Sequence, residues 1–391
     1  MTGNMEQRDI NTIFPYEKNA KKHPTRQVEQ IANSIREFGF NQPIVVDLKG
    51  VIIVGHGRYY AAKLLGMTQV PCLAVDMTED QAKAYRLADN KLNESEWDMG
   101  LAVEELKTLS DELIELTGFD KDLLITTDER DDVLPSEVPA RARLGDIWQL
   151  GKHRIMCGDS TKQEDVLRLL AGSNGIDMTF TSPPYNVGHN LGYEGKDSKY
   201  VNPDNLENYV EIITNSTRLA LEYTKDVFIN IQLLANNKRD VLLWLAGLAN
   251  NFKDLFFWKK TQVAPAMAEN VANSQVELIV LFGKDNNTRR WGNKAFRGNF
   301  SNHIETHSAS TENENSDIHN ATFPVELPLK FIAQGYEEGS KIYDPFIGSG
   351  TTLIACEKTN RICYGMEIEP RYVDVILKRY EVYTGQIPVK L

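Results

Sequence analysis

Several features are missing from this 391-residue sequence, and each absence excludes something. No apolar run approaches the roughly 20 residues a membrane-crossing helix needs, so no membrane partner is expected. The stretch Met1–Phe14 has no apolar h-region, which argues against a secretory signal and for a cytoplasmic location. Only four cysteines occur, Cys72, Cys157, Cys356 and Cys363, and none forms a CxxC pair. That spacing gives neither a zinc ribbon nor a disulfide framework, and it leaves buried thiols in a reducing compartment. No metal site is expected. There is no GKT or GKS, so a P-loop ATPase is disfavoured, and no internal repeat is visible. Positive charge is also short: the formal net charge is -12, which taken alone argues against a nucleic-acid partner.

The distribution of charge reverses that argument. Residues 98–143 hold 13 acids against 5 bases and account for most of the excess. Residues 284–303 hold Lys284, Arg289, Arg290, Lys294 and Arg297 against Asp285 alone, with Trp291, Phe296 and Phe300 interleaved. A local basic surface binds phosphates even when the whole chain is acidic. Arg289, Arg290, Lys294 and Arg297 are therefore candidate DNA contacts, with a solvated surface run as the bland reading. Glu305–Asp317 is polar, almost free of apolar residues, and expected to be a mobile loop.

The length suits two domains, and three regions are expected. Residues 1–97 read as a compact α+β domain. Apolar Val28, Ile31, Ala32 and Ile35 have helical spacing, closed by Gly39. Two β-rich runs flank Lys49-Gly50 as a hairpin. Residues 98–143 read as an acidic helical linker. Residues 144–391 alternate strand-like and helix-like segments. Such alternation predicts a wound α/β sheet with ligands at the carboxyl ends of its strands.

Two motifs carry chemistry. Ile176–Thr181 reads as a buried strand that delivers Ser182-Pro183-Pro184-Tyr185 to its end. The prolines lock the backbone and lack N–H groups, so the neighbourhood offers fixed acceptors. An exocyclic amine donates two hydrogen bonds, and a serine oxygen with a carbonyl accepts both. Tyr185 can stack on an extruded base. The bland reading is a Pro-Pro turn that merely ends a strand. The second motif is Asp344-Pro-Phe-Ile-Gly-Ser-Gly-Thr-Thr352, with two glycines between a strand and a helix. They let a ligand approach the helix N-terminus. Glu367 follows Gly350 by 17 residues, where an acid accepts from ribose hydroxyls; Glu369 is its rival.

The two motifs, with Gly365-Met-Glu-Ile-Glu-Pro370, resemble the DNA N4-cytosine/N6-adenine methyltransferase family in its permuted β-type order, over about residues 144–385. The resemblance implies a Rossmann-like sheet, S-adenosylmethionine as methyl donor and double-stranded DNA as substrate, with a homodimer as one assembly left open. It implies that Asp344, Phe346, Gly348, Gly350 and Thr351 line the cofactor pocket and that Glu367 meets the ribose. Asp159, in Gly158-Asp-Ser160, joins that pocket, and Asn320–Phe323 holds the methionine moiety. The target-recognition segment falls at about 284–320. The family's adenine enzymes usually carry Asp or Asn before Pro-Pro-Tyr, so Ser182 tilts the target toward cytosine N4, with adenine N6 as the alternative.

Val54-Gly55-His56-Gly57-Arg58 and the helix-like run after it resemble the ParB/sulfiredoxin-like domain over about residues 8–95. Gly55, Gly57 and Arg58 form a candidate phosphate cradle. ParB relatives bind CTP at a comparable loop, which makes CTP or another nucleotide a candidate ligand. His56-Gly57 stands where those relatives carry Glu-Arg, and the cysteine of sulfiredoxins is absent. A DNA- or protein-docking module is the preferred reading. Two whole-chain alternatives stay open: a partition-type DNA-binding protein with an inactive second half, and an RNA or protein methyltransferase.

Overall fold

A computed structural model describes residues 5–17, 19, 21, 23–92, 99–135, 137–186, 208–261, 274–285, 288–294, 300–307 and 323–391. The chain divides into two compact units, Met1–Leu124 and Ile125–Leu391.

The first unit holds β1 (Met5–Asp9), α1 (Thr25–Phe38), β2 (Ile44–Asp47), β3 (Ile52–Val54), α2 (His56–Leu64), β4 (Gln69–Val75), α3 (Glu79–Leu92), α4 (Met99–Leu106) and α5 (Asp111–Thr117). The expected hairpin is present: β2 pairs antiparallel with β3, and Gly50 takes the positive φ of 81° that its turn requires. The sheet order is β1-β4-β2-β3. Ile10, Ile44, Val46, Ile52, Tyr59, Val70 and Cys72 form its core. Gly39, at φ 84°, ends α1 as expected.

The second unit holds β5 (Ile147–Leu150), β6 (His153–Cys157), α6 (Gln163–Leu170), β7 (Ile176–Thr181), α7 (Tyr209–Tyr223), β8 (Thr224–Ile231), α8 (Lys238–Gly247), β9 (Phe252–Lys260), β10 (Val276–Gly283), β11 (His303–Thr306), α9 (Glu326–Gly335), β12 (Lys341–Asp344), α10 (Thr351–Lys358), β13 (Ile362–Glu367), α11 (Pro370–Thr384) and β14 (Val389–Lys390). Its sheet order is β11-β9-β10-β8-β7-β12-β13-β6-β5-β14. The central strands β8, β7, β12, β13 and β6 run parallel. They are buried nearly throughout, as parallel strands covered on both faces are. Apolar side chains of α9, α10 and α11 pack into one core with alternate strand positions such as Phe180 and Phe228. Those of α6, α7 and α8 pack into a second core with the intervening positions, such as Val227 and Ile229. The result is the expected wound α/β fold.

The chain winds one way from β7 to β8 and the other way from β12 to β13. β7 and β12 are neighbours, so a topological switch point lies between them, where open α/β sheets bind ligands.

The acidic stretch 98–143 is divided between the units rather than standing apart. Its helices α4 and α5 belong to the first, and from Ile125 onward it belongs to the second. There its carboxylates are used as acceptors. Asp132 accepts from the Val325 amide at 2.8 Å, and Asp131 from Lys358 at 3.0 Å and Tyr383 at 3.2 Å. Arg141 in turn pairs with Glu381 at 2.6 Å.

Candidate active site

Four parallel strands end side by side, and each delivers one of the motif segments. β7 ends just before Ser182, β12 at Asp344, β13 at Glu367 and β6 just before Asp159. Residues 163 positions apart thus share one sheet edge: Thr181 Oγ1 donates to Asp344 Oδ1 at 2.6 Å.

Asp344 is the joint between the motifs. Besides Thr181, it accepts from the Phe346 amide at 3.1 Å and from Thr352 Oγ1 at 2.6 Å. Burial pushes its carboxyl up to about 6, against the pull of these three donors. Its oxygens serve the protein itself. Asp344 thus ties the glycine loop and the start of α10 to the end of β7. Gly348 (φ 54°) and Gly350 (φ 87°) both adopt the left-handed conformation, and Gly350 caps α10, which opens with buried Thr351. Among the described residues the buried Ser349 hydroxyl has no partner.

Glu367 stands across from that loop. Its Oε2 accepts from the Gly348 amide at 3.1 Å and its Oε1 from the Glu369 amide at 3.0 Å. Burial pushes it up to about 7, against these two bonds. A carboxylate has about four acceptor directions, so capacity for further donors remains. Glu369, the rival, supplies its amide to this arrangement. Gly365 lets the strand press against the loop: a Cβ there would stand 2.2 Å from Ile347 Cδ1. Asp159 closes a local turn, accepting from the Thr161 amide at 3.0 Å and hydroxyl at 2.7 Å. Burial pushes its carboxyl up, but these bonds and Lys162 outweigh that and hold it low. Phe323 packs edge to face on Phe180 at 5.7 Å, and Phe346 is partly exposed on the loop. Asn320 lies outside the described residues.

On the β7 side, Ser182 Oγ lies 2.9 Å from Tyr185 Oη and 3.2 Å from the Asn230 carbonyl. Tyr185 Oη donates to Glu277 at 2.7 Å, and Asn230 Nδ2 donates to both Tyr185 Oη (2.8 Å) and Glu277 (2.7 Å). Asn237 holds the Tyr185 carbonyl at 2.7 Å. The ring packs against the apolar cluster beneath α7 and α8, so only its exposed part is left for stacking. Burial, and then the neighbouring Glu277, pushes the Tyr185 hydroxyl well above its usual range, so it stays protonated. Among the described residues no donor reaches the carbonyls of Pro183 and Pro184.

Asn230, Asn237, Glu277 and Lys260 were missed by sequence reasoning. They sit on or beside β8, β9 and β10, which the order β9-β10-β8-β7 brings to the site only through the fold. The available signal was a polar residue inside an otherwise apolar strand, as in Val227-Phe-Ile-Asn-Ile231 and Val276-Glu-Leu-Ile-Val280.

The basic run requires a correction. β10 runs antiparallel to β8, so its end at Gly283 meets Asp226, near the start of β8. The Gly292 amide donates to Asp226 at 2.9 Å, and Asn293 reaches Asp177 and Ser340 at the starts of β7 and β12. Arg289 and Arg290 therefore lie at the opposite edge of the sheet from Ser182, about 20 Å away for a six-residue strand. Arg289 is paired with Asp254 at 2.8 Å. Lys294 is 8% exposed and donates to the Ala333 carbonyl at 2.8 Å, which removes it from any phosphate-contacting surface. Trp291 and Phe300 are part of an aromatic cluster with Phe256 and Phe331. Arg297 and Phe296 lie outside the described residues, as do residues 308–317 of the expected loop. Glu305 and Thr306 of that stretch end β11 instead.

In the first unit, Gly55 caps α2 at φ 103°. Arg58 turns back on its own unit and donates to Gln42 Oε1 at 2.6 Å. Gly57 lies inside α2 against Ile31 and His23: a Cβ would meet Ile31 Cδ1 at 2.9 Å. Two of the three residues expected to cradle phosphate are therefore engaged in packing and internal bonding. His56 accepts from the Tyr16 amide at 3.2 Å; burial, then Arg86 and His23, push it down to about 4, so it is neutral.

Among the described residues no helix is long and apolar enough to cross a membrane. Residues 176–378, just over half of the chain, match the model of a family described as DNA methylase, and residues 3–91 match the ParB N-terminal domain. The chain is 42% identical over 76 residues to the ParB-like nuclease domain-containing protein YnaK of Escherichia coli K12, covering 19% of this chain and 87% of that protein. It is 40% identical over 63 residues to the type II methyltransferase M.Cfr9I of Citrobacter freundii, covering 16% of this chain and 21% of that protein. The match thus spans about a fifth of that methyltransferase's length. Among solved structures, PvuII DNA methyltransferase (cytosine-N4-specific) aligns at 20% identity with a TM-score of 0.46, over 61% of this chain and 90% of that one. The chain belongs to the DNA methylase family and carries a ParB N-terminal domain on the same polypeptide.

Proposed function

We propose that the chain is an S-adenosylmethionine-dependent DNA methyltransferase acting on the exocyclic amine of a flipped base, with cytosine N4 as the target. The observation that carries this reading is the adjacency of the two half-sites, with β7 and β12 ending side by side and Asp344 bonded to Thr181. The residues at the second half-site fit the cofactor: a partly buried carboxylate with spare acceptor capacity faces a glycine loop that contains an orphaned hydroxyl. When bound, S-adenosylmethionine supplies an electrophilic methyl on a positively charged sulfur.

Glu367 is assigned to the ribose hydroxyls, and Gly348, Gly350 and Phe346 to the loop that lets the cofactor in close. Asp159, Phe323 and Thr351 complete the set. Ser182 Oγ and the Pro183 carbonyl accept the two amine hydrogens, which draws the nitrogen lone pair out of conjugation with the ring. Catalysis by these groups is positioning and hydrogen bonding, without a covalent enzyme intermediate. Mass spectrometry of DNA methylated in a methylation-free host tests the reading. N4-methylcytosine is the expected product. N6-methyladenine alone would overturn the choice of base, and unmodified DNA would overturn the activity.

Phosphate contacts belong on the catalytic edge. Lys238 and Arg239 are exposed at the start of α8, next to the Asn237 that holds Tyr185. Changing both to Ala is expected to weaken DNA binding and lower the slope of log K against log salt by about 2, while Arg289→Ala with Arg290→Ala leaves it unchanged. Titrations at several salt concentrations check this; the opposite outcome would return the far edge to the interface.

A further inference from the structure

β10 brings one acidic side chain into the interior at the catalytic edge. Glu277 is 2% exposed. Its Oε2 accepts from Tyr185 Oη and from Asn230 Nδ2, both at 2.7 Å, and its Oε1 pairs with Lys260 at the end of β9. Lys260 also lies 5.1 Å from the centre of the Trp258 ring. Asn230 is fully buried and its Oδ1 has no partner among the described residues, so this amide serves the network as a donor.

Counting protons fixes the direction of each bond. An ionised carboxylate only accepts, so the single Tyr185 hydroxyl proton goes to Glu277. Tyr185 Oη is then an acceptor, filled by Asn230 on one side and Ser182 on the other. The Ser182 proton has two destinations, Tyr185 Oη and the Asn230 carbonyl, and both lie within the protein. The Ser182 lone pairs are left for an incoming N–H. A neutral amide in place of Glu277 breaks this order. Its NH2 would donate to Tyr185 Oη, turn the tyrosine proton toward Ser182, and fill the lone pair that the substrate needs.

We infer that Glu277, with Lys260 as its counter-ion, is a positioning residue that fixes Ser182 as the hydrogen-bond acceptor for the target amine. The inference rests on the proposed role of Ser182 and assigns the polarity of that serine to two residues on neighbouring strands. It gives the Glu277–Lys260 pair a role at the catalytic end of the sheet, where replacing it by hydrophobic residues would cost little stability.

The test uses the full-length protein and measures kcat, KM for DNA and S-adenosylmethionine affinity in wild type, Glu277→Gln, Tyr185→Phe and the double variant. Glu277→Gln is expected to lower kcat by about 100-fold, as a misplaced acceptor does. KM and cofactor affinity are expected to stay within about 3-fold, because neither depends on the direction of the serine proton. The double variant is expected to fall no further than Glu277→Gln alone, because both changes break one chain of bonds. A wild-type kcat in Glu277→Gln, or losses that multiply in the double variant, would overturn the inference. Should Glu277→Gln lose cofactor binding through misfolding, Lys260→Met carries the same test, with kcat about tenfold lower at unchanged KM, and an unchanged kcat would overturn it. A wild-type protein that methylates no DNA would instead refute the proposed function, so the two failures are distinguishable.

Discussion

Ser182→Ala is expected to lower kcat by at least about 100-fold while cofactor and DNA affinities stay within a few-fold of wild type. The side chain is partly buried and small, and its loss leaves the strand end intact, so the fold is not the readout. What disappears is one of two acceptors for the amine, and removing one oriented hydrogen-bonding partner from an active site costs about 100- to 1000-fold. The loss belongs in kcat because the amine lone pair must leave the ring only as the reaction proceeds. Single-turnover methylation under saturating DNA and cofactor measures it directly. If the variant reacts at the wild-type rate, Ser182 is no more than the end of a strand and the Pro183 carbonyl suffices.

The second large effect is a pH dependence with two opposite slopes. Glu367 is pushed up to about 7 and Asp344 to about 6, in both cases by burial. A protonated Glu367 loses acceptor capacity, and the Gly348 and Glu369 amides already use part of it. S-adenosylmethionine affinity is therefore expected to fall as pH drops below about 7, approaching tenfold per pH unit, which is the limit for one titrating group. Stability of the ligand-free protein runs the other way. Both carboxyls are raised above their unfolded values, so their contribution is fully present below the ordinary carboxylate range. It is lost as pH rises through about 6 for Asp344 and about 7 for Glu367. Calorimetry between pH 5.5 and 8.5 reads the first slope and thermal melts read the second. Glu367→Gln is expected to bind the cofactor at least about tenfold more weakly at pH 8 and to flatten its share of both slopes. Cofactor affinity that is level across this range in the wild type would remove Glu367 from the ribose site.

Much of the fold was legible because the second unit is built from short apolar strands and amphipathic helices in alternation. The strand before Ser182, the glycine loop and the strand ending in Glu367 could all be placed from their own residues. Their convergence followed from the rule that wound sheets gather function at strand ends. The supporting network was not legible. Asn230 and Glu277 are 47 residues apart, and each looks like an ordinary polar interruption until the strands pair. The basic run misled for a related reason. Composition records that five cations are close together, but only strand direction decides which end of the sheet receives them. β10 runs against its neighbour, so the described part of the run, through Lys294, lands on the far edge. The acidic stretch misled in the same way, since Asp131 and Asp132 look solvated in sequence and are satisfied by Lys358 and the Val325 amide in the fold.

The bond between Thr181 and Asp344 has a consequence for how such a chain can vary. The two half-sites are joined laterally, across adjacent strands, and not along the polypeptide. Nothing in that joint depends on which half the ribosome makes first. The chain between the motifs can therefore be opened at a loop without loosening the carboxylate that ties them. Cutting the chain there and rejoining its ends elsewhere would reverse the written order of the motifs and leave the same two loops touching.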